Sequence, residues 1–406
     1  MVENKDKKVL NVPNLRFPEF QGEWVASPLS EYLNENKERN KKGYFNKTDV
    51  LSVSGDFGIV NQIELMGRSF AGASVLPYHV VRHGNIVYTK SPLKEYPYGI
   101  VKANIGKEGI VSTLYAVYSV KDNANSKFIE YYFSLANRTN RYFKPIVRIG
   151  AKHDMKIGNQ EVLANQVVFP TVKEQEKIAG FLSLIDDRIS TQNKIIEDLK
   201  KLKCAIIENV LNNCHDNKMR LGDVGIYIRG LTYSSNDVVE QKGTIVMRSN
   251  NIVSGGLLDY CNNVVRVNKQ ILQEQQLQNG DIVICMANGS SALVGKTSFY
   301  DGKCLSPITV GAFCGIYRSK MPITKWLFQT NRYHRYIWNS LQGGNGAIAN
   351  LNGEDILRMS FPTPDKSTIG HCIKLLSSLD LLIENNVSLC SMFSQQKEYL
   401  LQQMFI

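Results

Sequence analysis

The residues from Ala287 to Thr297 come nearest to a catalytic motif, because this run follows the apolar stretch Asp281 to Met286 and ends in Gly295-Lys296-Thr297. Those residue types would cradle a nucleotide phosphate. The spacing excludes it: a phosphate loop places four residues between its first glycine and the Gly-Lys pair, whereas five separate Gly289 from Gly295. The text that follows, Ser298 to Lys303, reads as strand and turn where a helix is required. Gly343, Gly344, Asn345 and Gly346 lack the strand-to-helix frame of a dinucleotide site and read as a flexible loop close to backbone or DNA. The chain has no Asn-Pro-Pro-Tyr or Asp-Pro-Pro-Tyr cluster, no Gly-x-Ser-x-Gly and no His-Glu-x-x-His. Its eight cysteines (204, 214, 261, 285, 304, 314, 372, 390) include no Cys-x-x-Cys pair and no histidine at finger spacing, so they read as free thiols with no metal site. Catalysis by this chain is not expected.

The remaining chemistry is that of cations and amides. Net charge is +11, divided as +7 over residues 1–170, 0 over 171–213, +5 over 214–362 and −1 over 363–406. All the positive excess lies outside the two segments that read as long helices, which points to a polyanion touching two globular parts. A diffuse basic solvated surface is the plainer alternative. The candidate DNA-binding residues are Lys90, Lys94, Arg148 and Lys152 in the first half. In the second half they are Arg248, Asn250, Asn251, Arg332, Arg335, Asn345 and Asn350. Lys and Arg would neutralise phosphates, while paired donors and acceptors read bases. Tyr333 and Tyr336 interleave with Arg332 and Arg335, and a core role fits them equally.

The elements that must position these residues are written twice. Ile178, Leu182, Ile185, Ile189, Gln192, Ile196, Leu199, Lys203, Ile206 and Val210 alternate steps of four and three, the spacing of a coiled-coil seam. The same ladder returns 194 residues later as Cys372, Leu376, Leu379, Ile383, Asn386, Cys390, Phe393, Lys397, Leu400 and Met404. Its polar interruptions coincide too, Gln192 with Asn386 and Lys203 with Lys397. Phe169-Pro170-Thr171 and Phe361-Pro362-Thr363 precede the two ladders. Two amphipathic helices could look alike by chance, but not with matched exceptions and matched flanks.

The expected fold is therefore α+β: two mixed, mostly-β domains separated by two long helices that pair as an antiparallel coiled coil, with a pseudo-two-fold internal repeat. The domains are residues 1–170 and 214–362, and the helical spacers are 171–213 and 363–406. Each helix runs about forty residues, or roughly 60 Å. A parallel pairing would force residues 214–362 to span that length, so the antiparallel one is favoured. Thr171 with Glu174 reads as a capping box for the first helix, and Pro364-Asp365 marks the start of the second. Gln192 and Asn386 sit near mid-ladder, where a polar pair would fix register. The globular halves are rich in short Val/Ile/Tyr runs bounded by Gly, Pro and Asn, and His83 to Tyr88 answers Asn279 to Ile284, as Thr48 to Val53 answers Gly243 to Arg248. The charged N-terminus has no apolar signal core, and no apolar run nears the ~18 residues of a membrane span, so a cytoplasmic location without membrane contact is expected.

Over essentially its full length the chain resembles the specificity (S) subunit of type I restriction-modification systems. The resemblance is carried by Val12 to Phe20 with Gly22-Glu23-Trp24, by Gly280 to Val283 leading to Val294-Gly295-Lys296, and by Phe169 to Ile178 at the start of the first helix. It implies two target-recognition domains, each reading one part of a split sequence in double-stranded DNA. The helical spacers would bind methyltransferase (modification) subunits, two being the expected number, and set the gap. The chain would be non-catalytic and hold no cofactor. S-adenosylmethionine for adenine methylation, and ATP and Mg for the restriction/translocase subunits, would reside in those partners. The second helix start, Pro362 to Thr368, lacks the Glu-Gln of the first, which sets equal binding of two modification subunits in question. A coiled-coil interaction scaffold with nonspecific nucleic-acid-binding domains is the rival reading, and a self-sufficient methyltransferase is disfavoured by the missing motif.

Overall fold

The structure is a computed structural model that describes residues 10–149, 155–212, 217–341 and 349–406. It divides into two compact units, Met1–Asn193 with Ser388–Ile406, and Lys194–Val387. Two long helices, the central Val172–Asn212 and the C-terminal Lys366–Gln403, each contribute residues to both units.

In the first unit a four-stranded antiparallel sheet has the order Leu33–Glu35, Ala116–Val120, Ile86–Tyr88, Val101–Ala103. Ile86, Val87 and Tyr88 are all buried, as a short apolar run in a central strand should be. A separate pair, Val25–Pro28 with Gln166–Phe169, joins the start of the domain to the strand that leads into the central helix.

The second unit repeats this plan with Gly225–Arg229, Cys314–Ser319, Ile282–Cys285 and Thr297–Phe299. Its closing pair is Lys218–Arg220 with Ser360–Pro362. A further sheet contains Thr244–Met247 running parallel to Ile308–Val310. The matched strand orders give structural form to the internal repeat.

Within each unit the two helices run antiparallel. In the first, Lys397 meets Asp186 at 2.5 Å, the Arg188 guanidinium lies 5.8 Å from the Phe393 ring, and the Cys390 thiol donates to Asn193 Oδ1 at 3.4 Å. Partner numbers fall as helix numbers rise. In the second, Lys203 meets Asp380 at 2.8 Å, while Ile207 and Leu211 share a core with Cys372 and Leu376.

The ladders do more than face each other. Ile178, Leu182, Ile185, Leu400 and Met404 pack into the core built by Trp24, Phe128 and Phe169. Ile196, Leu379 and Ile383 are buried in the second unit, Gln192 is buried in the first, and Ile189, Leu199, Asn386 and Phe393 are partly covered. Beyond Lys203 the buried side chains are Ile207 and Leu211, with Ile206 and Val210 only partly covered. The seam shifts by one residue there, where the helix packs on a domain core, because successive steps of four on a helix of 3.6 residues per turn rotate the buried face by about 40° each.

Glu174 also departs from the expected capping box. It is buried, its carboxylate receives Arg16 Nε and Nη2 at 2.7 Å each, and Trp24 Nε1 donates to it at 3.2 Å. A guanidinium fork satisfies a buried carboxylate better than one backbone amide does. The neighbouring Gln175 donates to the Pro170 and Asn123 carbonyls. The second helix start uses Asp365 instead, which accepts from the Ser367 and Thr368 amides.

Candidate nucleic-acid interface

The basic residues separate into those tied up in the fold and those left on the surface. In the first unit Lys90, in a left-handed conformation (φ 49°), donates to the Ile157 carbonyl and to Asn159 Oδ1. Burial pulls its pKa below the usual lysine value, against the opposing pull of Glu35 and Glu161. Lys94 is exposed between the strands Ile86–Tyr88 and Val101–Ala103. Arg148 is exposed on Arg148–Ile149, which pairs with Met155–Lys156. Lys152 lies outside the described residues, as does Cys214.

Two cation–aromatic pairs on the same unit escaped the sequence reading. The Arg68 guanidinium stands 4.6 Å from the Phe70 ring, and the Lys42 ammonium 5.8 Å from the Tyr44 ring. Both aromatic rings are exposed. A cation two residues before an aromatic in a loop is the signal that would have found them, and stacking surfaces beside a charge suit nucleic acid.

In the second unit Arg248, Asn250 and Asn288 line one cavity of about 620 Å³, whose mouth carries Phe313 at 67% exposure. Asn251, by contrast, is buried and supports the turn: its Oδ1 accepts from the Arg248 amide at 3.0 Å and its Nδ2 donates to the Asn262 carbonyl at 2.9 Å. Arg248 donates from Nη2 to the Asn263 carbonyl at 3.3 Å. Asn288 donates to Ser249 Oγ at 3.2 Å and accepts from the Ser290 amide at 2.9 Å. Asn350 is exposed on the short strand that pairs with Ala287 and Asn288. The Ala287–Thr297 run, read above as no phosphate loop, therefore supplies one wall of this cavity.

The helix Asn331–Leu341 divides the other candidates. Arg332 donates to the Ser360 carbonyl at 2.9 Å beside the Tyr336 ring, and Arg335 is exposed. Tyr333 is a core residue whose hydroxyl donates to the Gly295 carbonyl at 2.8 Å. Asn345 and the rest of the Gly343–Gly346 run lie outside the described residues.

Two further residues matter to the framework and were not singled out by periodicity. Asp186 and Asp380 occupy equivalent positions of the repeat, and each receives the lysine that interrupts the opposite ladder. Each also accepts from a globular aromatic of its own unit, Tyr131 Oη to Asp186 at 2.6 Å and Trp326 Nε1 to Asp380 at 3.0 Å. The signal was present, since a lysine at a seam position needs an anion.

This plan, two similarly ordered antiparallel sheets with antiparallel helices in each unit, has a solved counterpart. The type I restriction-modification S subunit from M. genitalium superposes with a TM-score of 0.57 at 13% identity, over 97% of this chain and 99% of that chain. The fold is shared. The HsdS subunit from Thermoanaerobacter tengcongensis aligns at 12% identity over 94% of this chain and 96% of that one, with a TM-score of 0.35. A chain from a structure of complex assembly and conformational transition in the type I R-M system aligns at 13% identity over 94% and 97%, with a TM-score of 0.47. The sequence matches no family model and no curated protein. Among the described residues no helix is long and apolar enough to cross a membrane.

Proposed function

We propose that this chain is the DNA-reading specificity subunit of a type I restriction-modification complex. It carries no chemistry of its own: each globular domain reads one part of a split target in duplex DNA, and the helices fix the gap. The observation that carries the proposal is the doubled architecture, two domains of one strand order each built onto both helices, in a fold that a solved S subunit shares over almost its whole length. The distribution of charge supports it, with the positive excess confined to the globular segments.

Partner subunits for methylation and for ATP-driven translocation and cleavage belong to the same proposal, with S-adenosylmethionine, ATP and Mg bound there. Their docking is supported by apolar side chains left exposed on the helices. In the first unit these are Leu184 and Tyr399, and in the second Leu202 and Leu382. A cytoplasmic location follows from the proposed work on genomic DNA.

The test is co-expression with the modification subunit in a methylation-free host, followed by single-molecule sequencing of the genome. A split adenine-methylated motif with a fixed gap, absent without this chain, is the expected result. A folded complex that binds DNA and gives no motif would refute the proposal in favour of a nonspecific scaffold.

A further inference from the structure

We infer that Arg248 and Asn250 are base-reading residues of the second domain, Arg248 addressing a guanine edge and Asn250 a neighbouring adenine edge in the major groove. Phe313 supplies the apolar surface beside them. This assignment rests on the proposed function and deepens it.

The cavity differs in character from the rest of the basic surface. A phosphate needs only charge, and a solvated lysine on a convex face supplies that. Here a guanidinium and two carboxamides share a concave site with the exposed ring of Phe313, and among the described residues no Asp or Glu lines it. Planar forks of this kind match purine edges: Arg reaches guanine O6 and N7, Asn reaches adenine N6 and N7. An apolar ring beside them suits a thymine methyl.

The groups are also held in place. Both residues flanking Asn250 are anchored, Asn251 by the bonds described above and Ser249 by Asn288 Nδ2, and so is Arg248. The Arg248 guanidinium donates one hydrogen bond, to the Asn263 carbonyl. Among the described residues no carboxylate lies within ion-pair distance of it, in contrast to Arg318, which is taken by Asp281 at 2.7 Å. A fixed cation with unspent donors is poised for an outside acceptor.

The first domain has no equivalent set. In the internal alignment Val53 stands where Arg248 does. Leu114 holds the turn before the strand Ala116–Val120, as Phe313 does before Cys314–Ser319. Loss of these side chains must therefore touch one half of the target only.

The experiment uses the full chain with its modification subunit in the methylation-free host, comparing wild type with R248A, R248K and N250A by genome-wide adenine-methylation mapping. For R248A and R248K the expected result is a roughly ten- to hundredfold loss of discrimination at one G·C pair. Lysine keeps the charge but not the fork. N250A should relax an adjacent A·T pair, with the other half and the gap unchanged in all three. Variants that methylate the unchanged motif at uniformly reduced rate would overturn the assignment and make these residues phosphate contacts. A wild-type complex without any motif would instead overturn the proposed function.

Discussion

Replacing Asp380 with alanine should destabilise the second unit far more than Asp186→Ala destabilises the first, although the repeat puts the two aspartates at equivalent positions. The side chains of Lys203 and Asp380 are 5% and 7% exposed, whereas those of Lys397 and Asp186 are 25% and 32% exposed. Removing Asp380 strands a buried ammonium and leaves the Trp326 indole N–H without its acceptor. Breaking a buried pair from one side costs ~3–5 kcal/mol. Removing Asp186 costs ~1–2 kcal/mol, since the exposed pair itself contributes little and Tyr131 Oη keeps Ser183 Oγ at 3.2 Å. The assay is urea unfolding of the full chain, with the emission of Trp326 and Trp338 reporting the second unit and that of Trp24 the first. Lys203→Met with Asp380→Leu should recover only the part of the loss that the stranded Lys203 accounts for, because an apolar pair replaces that ion pair at little net cost while Lys325, which meets Asp380 at 2.7 Å, and the Trp326 N–H stay without their acceptor. Equal losses for the two aspartate variants, or a double variant as unstable as Asp380→Ala, would refute the burial argument.

Two further outcomes follow from the framework. Burial, with a smaller contribution from Arg39, pushes the pKa of His79 down to about 4, and its Nδ1 has no hydrogen-bond partner among the described residues. The folded state thus holds the ring neutral while the unfolded chain protonates near the usual value of ~6.5. Stability of the first unit should be unaffected above that pH and fall as pH drops from ~6.5 to about 4; His79→Gln should flatten that fall in urea midpoints taken across the window. Inserting one heptad into each long helix should lengthen the gap of the methylated motif while leaving both half-sequences intact, and an unchanged gap in the methylation map would contradict a helical ruler.

The ladders were legible because period is a local property: seven-residue spacing exposes a face whatever lies opposite. What lies opposite is not local. Lys203 and Lys397 could be recognised as exceptions, but nothing near them in sequence names Asp380 or Asp186 as their anions. The same limit explains the basic candidates. Lys90 and Arg332 look like any surface cation in sequence, yet their neighbours in space are the Ile157 and Ser360 carbonyls. Asn251 and Asn250 are adjacent and identical in type, and the 3₁₀ turn at Ser249–Asn251 buries one and exposes the other. Asn288 lies within the run whose spacing excludes a phosphate loop; its place in the cavity wall depends on pairing with Ala349, a register that loop propensities do not set.

The exchange of charge between the repeats also bears on how such a gene can change. Each lysine is written in one copy of the duplicated text and its aspartate in the other, 177 residues away for Lys203 with Asp380 and 211 for Asp186 with Lys397. A point mutation in either copy therefore breaks a bond whose other half it does not inherit. Recombination that overwrites one helix-coding segment with the other has no such effect, because both copies spell lysine and aspartate at these positions. These lysine–aspartate bonds survive exchange of helix text between the copies, so the charged frame can stay the same while the globular segments between the helices drift apart.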